Sequence, residues 1–118
     1  MSLVQELANL TGVIAAGEYS YRGDRFTYEG HLNEELARMA SIMCRATSMG
    51  MHMQVDMLKL MGNDCGCAPA QGWIVKGDTY TVCVRANVFC FIDSKLTQIN
   101  PIIKYMNEHI AVQTGELV

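Results

Sequence analysis

The feature that most constrains the fold is a helical pattern that runs from Asn33 to Met61 and carries seven of the chain's nine methionines. At about 100° per residue, its polar residues fall on one spine roughly 80° wide, and the remaining arc is almost wholly apolar. A helix on one side of a sheet needs an apolar stripe of a little over ~100°. The wider arc predicts a second covering surface, which we expect to be a second copy of this short chain. The spine, expected to face solvent, comprises Glu34, Arg38, Ser41, Arg45, Ser48, His52, Asp56 and Lys59.

Length and composition indicate a single domain over residues 1–118. Nine basic and twelve acidic residues are scattered along the chain, and the net charge of −3 argues against nucleic acid as a partner. No stretch reaches the ~18 uncharged apolar residues of a membrane span, and the first residues lack the pattern of a secretion signal. Five cysteines without such a signal are expected to be reduced thiols. We therefore expect a cytoplasmic protein.

Local patterns predict the order helix, two strands, long helix, three strands, helix, which is an α+β domain. Ser2 with Gln5 forms a capping-box pattern, and Asn33 is a favourable N-cap for the long helix. Asn100 beside Pro101 is expected to cap the last helix. A loop is expected over residues 63–71, and a frayed tail after Gln113. The predicted strands are Val13–Tyr19, Phe26–Glu29, Trp73–Val75, Thr79–Arg85 and Val88–Ile92.

Several short motifs occur at matching places in that order: Gly12-Val13-Ile14-Ala15-Ala16-Gly17, Met43-Cys44, Ser48-Met49, Gly72-Trp73, Tyr80-x-Val82-Cys83-Val84 and Asn87-Val88. Over nearly its whole length the chain resembles the roadblock / dynein light chain family, in a small bacterial branch with no assigned function. The resemblance implies a profilin-like αββαβββα fold, with a five-stranded antiparallel sheet and a long central helix on one face. It also implies dimers in which long helices pair and sheets join edge to edge, serving as scaffolds or regulators of small GTPases.

The long helix offers two apolar lines with a repeat of three and four residues. The first is Leu36, Met39, Met43, Ala46, Gly50, Met53, Met57 and Leu60, and the second is Ala40, Thr47, Met51, Gln54, Leu58 and Met61. Gly50 costs about 1 kcal/mol relative to alanine inside a helix, so we expect another backbone or a strand to pass close to it. Thr47 and Gln54 either bond across a two-fold axis or lie at the margin of the apolar surfaces. The methionines are core residues or an adaptable docking surface. The predicted dimer interface is Met43, Ala46, Thr47, Gly50, Met51, Met53, Gln54 and Met57.

Cys65 and Cys67 flank Gly66 in the predicted loop and are the candidate metal ligands or reactive thiols. Structural zinc usually needs four ligands, so two mobile reduced thiols are the simpler interpretation. If Ala86 and Asn87 form a two-residue turn, Cys83 and Cys90 become directly opposed neighbours, for which packing is the expected role. Adjacent Met43 and Cys44 point in different directions, which argues against a copper(I) site.

No catalytic constellation is present in the sequence. The three histidines have no nucleophile or carboxylate at a telling spacing, and residues 62–66 lack the lysine and hydroxyl residue of a phosphate-binding loop. We expect no enzyme activity and no cofactor. The leading hypothesis is a homodimeric scaffold that binds a partner protein, such as a small GTPase or a multiprotein complex. The alternatives are a thiol-based redox or metal-responsive protein using Cys65 and Cys67, and a small-ligand sensor with a pocket between sheet and helices.

Overall fold

The computed structural model describes residues 2–61, 72–96 and 98–110. Three helices and five strands follow one another in the predicted order. The fold is the roadblock-like αββαβββα arrangement of the α+β class. The predicted loop with Cys65 and Cys67 and the predicted tail after Gln113 lie outside the described residues. The elements are α1 (Leu3–Ala8), β1 (Val13–Tyr19), β2 (Phe26–Gly30), α2 (Glu34–Leu60), β3 (Gly72–Lys76), β4 (Tyr80–Arg85), β5 (Val88–Asp93) and α3 (Ile99–His109).

The five strands form one antiparallel sheet in the order β2-β1-β5-β4-β3. Because successive side chains of a strand point to opposite faces, the sheet supports two separate apolar cores. Val88, Cys90 and Ile92 pack against α1 and α3 on one face. Phe89 and Phe91, from the same strand, pack on the face that α2 covers. The sheet is therefore the central layer of the domain.

The helix starts agree with the sequence at two of three places. Ser2 and Gln5 form the predicted capping box of α1, and the Asn33 side chain accepts a hydrogen bond from the Leu36 amide at 2.8 Å. The predicted cap of α3 was wrong, because Gln98, rather than Asn100, occupies the N-cap position. Pro101 is tolerated in the first turn, since amides there have no partner inside the helix.

Candidate functional site

In the first half of α2, the side that faces the sheet is built from small residues. Ala37, Ala40, Ser41 and Cys44 are its buried positions. The Ser41 hydroxyl donates a 2.8 Å hydrogen bond to the Ala37 carbonyl within the helix. Small side chains let the helix lie close to the bulky aromatic residues that stand on the sheet. This side of the helix thus contributes little bulk to the core.

Polar contacts fasten the middle of α2 to the sheet. Trp73 of β3 donates its indole N–H to the Ser48 hydroxyl at 2.8 Å, and the Tyr19 hydroxyl lies 3.3 Å from the same oxygen. Burial raises the pKa of Tyr19, so its phenol remains a neutral hydrogen-bonding group. Arg45 donates its Nε–H to the Tyr21 carbonyl at 2.8 Å. The polar spine of the helix therefore turns partly toward the sheet.

That orientation corrects one sequence-based expectation. The spine was expected to be solvated, yet Ser41 is buried and Ser48 is half-buried against Trp73 and Tyr19. The helix meets the sheet through small and hydroxyl-bearing side chains because the aromatic residues already fill that layer. The large apolar residues of α2 are consequently displaced to the opposite side.

We call that opposite side the outer face. At about 100° per residue, its positions point away from Ala37, the centre of the sheet-facing side. Seven large apolar side chains on it are 45–87% exposed. A soluble monomer rarely exposes so continuous an apolar strip unless the strip is an interaction site. The seven are Met39, Ile42, Met43, Met49, Met53, Met57 and Leu60.

The predicted interface residues divide between the outer face and its margins. Met43, Ala46, Met53 and Met57 lie exposed on the outer face. Gly50 lies on it as well, and a Cβ built there meets no atom of the described residues within 4 Å. The expected close backbone is therefore not supplied by the described part of the same chain. Thr47 and Gln54 are exposed near the margin, and Met51 is half-buried toward the sheet.

Two outer-face residues lie outside the lines predicted from the sequence. Ile42 and Met49 are 51% and 55% exposed and were assigned to neither apolar line. Their spacing carried the signal, because Ile42, Ala46, Met49 and Met53 follow one another at intervals of four, three and four residues. The apolar surface is therefore broader than the predicted lines.

Exposed apolar side chains also occur on the α2 side of the sheet. Val75 shares a strand face with Trp73, and Tyr80 shares one with Val82 and Val84, because alternate residues point the same way. Val75 is 57% exposed and Tyr80 is 63% exposed. Strands β3 and β4, at one end of the sheet, thus add apolar area on the same side of the sheet as α2.

The three cysteines in the described residues are buried thiols. Cys83 and Cys90 are paired across β4 and β5, as the predicted turn requires. Cys90 is not a reactive thiol, because its hydrogen bond with Cys83 and its burial both raise its pKa. Burial raises the pKa of Cys44 to about 12. Across residues 2–61, 72–96 and 98–110, no three His, Cys, Asp or Glu side chains gather closely enough to hold a metal ion.

These observations define an α+β domain with a central antiparallel sheet and a long helix that presents an uncovered apolar face. A family model described as "Uncharacterized conserved protein (DUF2173)" matches residues 3–108, and the chain belongs to that family. A search of curated proteins gives no match. Within the described residues, no helix is both long enough and apolar enough to cross a membrane.

Proposed function

We propose that the chain is a non-enzymatic homodimeric scaffold or regulatory module that binds a partner protein, and that two copies pack through their outer faces. The observation that carries this proposal is the row of exposed apolar side chains opposite the sheet. The roadblock-like arrangement supports it. By that resemblance, the expected partner is a small GTPase or a multiprotein complex.

The energetics favour a cover for the outer face. Fully burying one Met, Leu or Ile side chain contributes about 1.5–3 kcal/mol. Covering the exposed halves of seven such residues therefore contributes on the order of 10 kcal/mol per copy. Two copies together exceed the association cost of about 4–15 kcal/mol. A second copy is thus a sufficient cover.

The sequence of the outer face suits two-fold symmetry. Gly50 lies midway between Met43 and Met57, so an antiparallel crossing at Gly50 places the two glycines together. An isologous interface then matches every residue with the one equally far on the other side of Gly50. This register pairs Met43 with Met57, and it pairs the smaller Ala46 and Thr47 with the longer Gln54 and Met53.

Sedimentation of Gly50→Leu and Met53→Glu tests the dimer. The space around Gly50 is open in the described chain, so Gly50→Leu disturbs no contact within a subunit. Leucine also favours the helix over glycine by about 0.8–1 kcal/mol. We expect wild type at twice the 13.1 kDa chain mass, and both variants shifted toward the monomer.

His52→Glu is the matched control, because it introduces the same acidic residue one position away, on the polar spine rather than on the outer face. We expect it to remain dimeric. A monomeric wild type at micromolar concentration, or an unaltered dimer in both outer-face variants, contradicts the proposal. The partner-binding part is tested separately by identifying stoichiometric proteins that co-purify with the tagged chain from its own cells, and their absence contradicts it.

A further inference from the structure

Four of the five arginines in the chain line one cleft. Arg22 and Arg25 come from the turn between β1 and β2, and Arg38 and Arg45 come from α2. The cleft has a volume of about 270 Å³ and also contacts Phe26. These arginines are separated by up to 23 positions in sequence, so only the packing of the turn against the helix brings them together.

The turn that carries two of these arginines is held by its own hydrogen bonds. The buried Ser20 hydroxyl oxygen accepts from the Asp24 and Arg25 amides at 3.1 Å each and donates to the Asp24 carboxylate at 2.7 Å. Gly23 has a φ of 80°, which favours glycine. The turn is therefore preorganised before any ligand arrives.

The turn is also fixed to the helix. The Arg45 Nε–H donates to the Tyr21 carbonyl at 2.8 Å. A Cβ built on Gly23 would lie 3.3 Å from the Arg45 Cδ atom, so the arginine stem packs directly against the turn. This contact sets the position of one guanidinium relative to those on the turn.

The charges of the cleft are only partly balanced. Arg38 pairs with Glu35 at 2.6 Å, and Arg25 lies 4.0 Å from Asp24. In the part of the chain that the structure describes, neither Arg22 nor Arg45 forms an ion pair. Four guanidinium groups and two carboxylates leave a local charge of +2 on a protein whose net charge is −3.

We propose that this cleft binds the phosphate group of a small phosphorylated metabolite. A phosphate monoester carries about −1.5 to −2 charges near neutral pH, which matches the local excess, whereas a carboxylate carries half as much. Guanidinium groups bind phosphate oxygens in a bidentate geometry. The volume lies just below the usual range of about 300–1,000 Å³ for ligand sites, so the phosphate has room for only a small organic group, which contacts Phe26.

Titration of the whole protein with phenyl phosphate tests the site, using isothermal calorimetry at about 0.15 M ionic strength. We expect saturable binding of one ligand per chain, and no saturable binding of acetate. Arg22→Gln is expected to weaken binding about tenfold, the effect of losing one charge-assisted contact. Arg22→Lys retains the charge without the fork and is expected to give an intermediate loss.

Lys104→Gln is the matched control, because it removes one exposed positive charge from α3, which packs on the opposite face of the sheet from α2. We expect it to leave the affinity within about twofold. No saturable binding to wild type, or equal losses in Arg22→Gln and Lys104→Gln, overturns the proposal. Tighter binding of a phosphoserine peptide than of phenyl phosphate overturns the assignment to a small metabolite. Since the cleft lies within one chain, Met53→Glu is expected to bind phenyl phosphate normally, which separates this proposal from the dimer.

Discussion

The Ser48–Trp73 hydrogen bond helps to hold α2 against the sheet, and Ser48→Ala measures its contribution. The substitution leaves the Trp73 indole N–H, which donates to Ser48 at 2.8 Å, without that acceptor. Leaving a fully buried donor unsatisfied costs about 1–3 kcal/mol, and because Trp73 is half-buried we expect the lower part of that range. Ser48→Ala also removes the longer contact of 3.3 Å between the Ser48 and Tyr19 hydroxyls. Because the Tyr19 hydroxyl can still donate to the Ala86 carbonyl at 3.4 Å, this second loss adds little to the cost.

Alanine favours the helix more than serine does, and this gain offsets a few tenths of a kcal/mol of that cost at most. We therefore expect Ser48→Ala to lower the free energy of unfolding by about 1–2 kcal/mol. Ser41→Ala is the matched control, because the Ser41 hydroxyl donates only to a carbonyl of its own helix. No buried donor loses its partner there, and we expect a change within about 0.5 kcal/mol.

Urea unfolding followed by far-ultraviolet circular dichroism measures both variants at one fixed protein concentration, since dimerisation would make stability depend on concentration. A cycle with Trp73→Phe isolates the contact, because phenylalanine has no N–H to donate. We expect Ser48→Ala to cost about 1 kcal/mol less in that background. Equal effects of Ser48→Ala and Ser41→Ala, or no coupling to Trp73, would refute the stabilising role assigned to the Ser48–Trp73 hydrogen bond.

Two further predictions concern the interior. A Cβ built on Gly17 lies 2.1 Å from the Phe89 ring, so Gly17→Ala is expected to destabilise the protein by about 1–3 kcal/mol in urea unfolding. Phe89→Leu should then cost less in the Gly17→Ala background than in wild type, and additive losses would argue against this clash. Because Cys44, Cys83 and Cys90 are buried, we expect an alkylating reagent to modify these three thiols slowly in the native protein, as measured by mass spectrometry. Any fast reaction should disappear in the Cys65→Ser/Cys67→Ser double variant, and its persistence there would show that a buried thiol is accessible.

The strands were predictable because their signals are local. Alternation and turn residues located all five, and the two-residue turn at Ala86 and Asn87 set the register that pairs Cys83 with Cys90. The start of α2 followed from Asn33 for the same reason. The start of α3 was missed because Gln98 makes no side-chain cap bond, so the sequence carries no cap signal at that position.

The orientation of α2 was not predictable from its own pattern. The helix has a narrow polar spine, and local reasoning assigns such a spine to solvent. Its actual orientation depends on Trp73 and Tyr19, which lie far away in sequence and meet at Ser48. The arginine cleft was missed for the same reason, since no spacing in the sequence links Arg22 to Arg45.

The sizes of the facing side chains explain why the methionines point outward. Tyr19, Phe89 and Trp73 stand on the α2 face of the sheet, and Gly17 leaves room for the Phe89 ring to lie against the strand. Interiors are close-packed, so a helix laid over such bulky residues must present small ones. Alanine, serine and cysteine meet that requirement in α2, whereas methionine would force the helix away from the sheet. The same packing that buries the small side of the helix therefore exposes its large apolar side, and the need for a second covering surface follows from the way the first is filled.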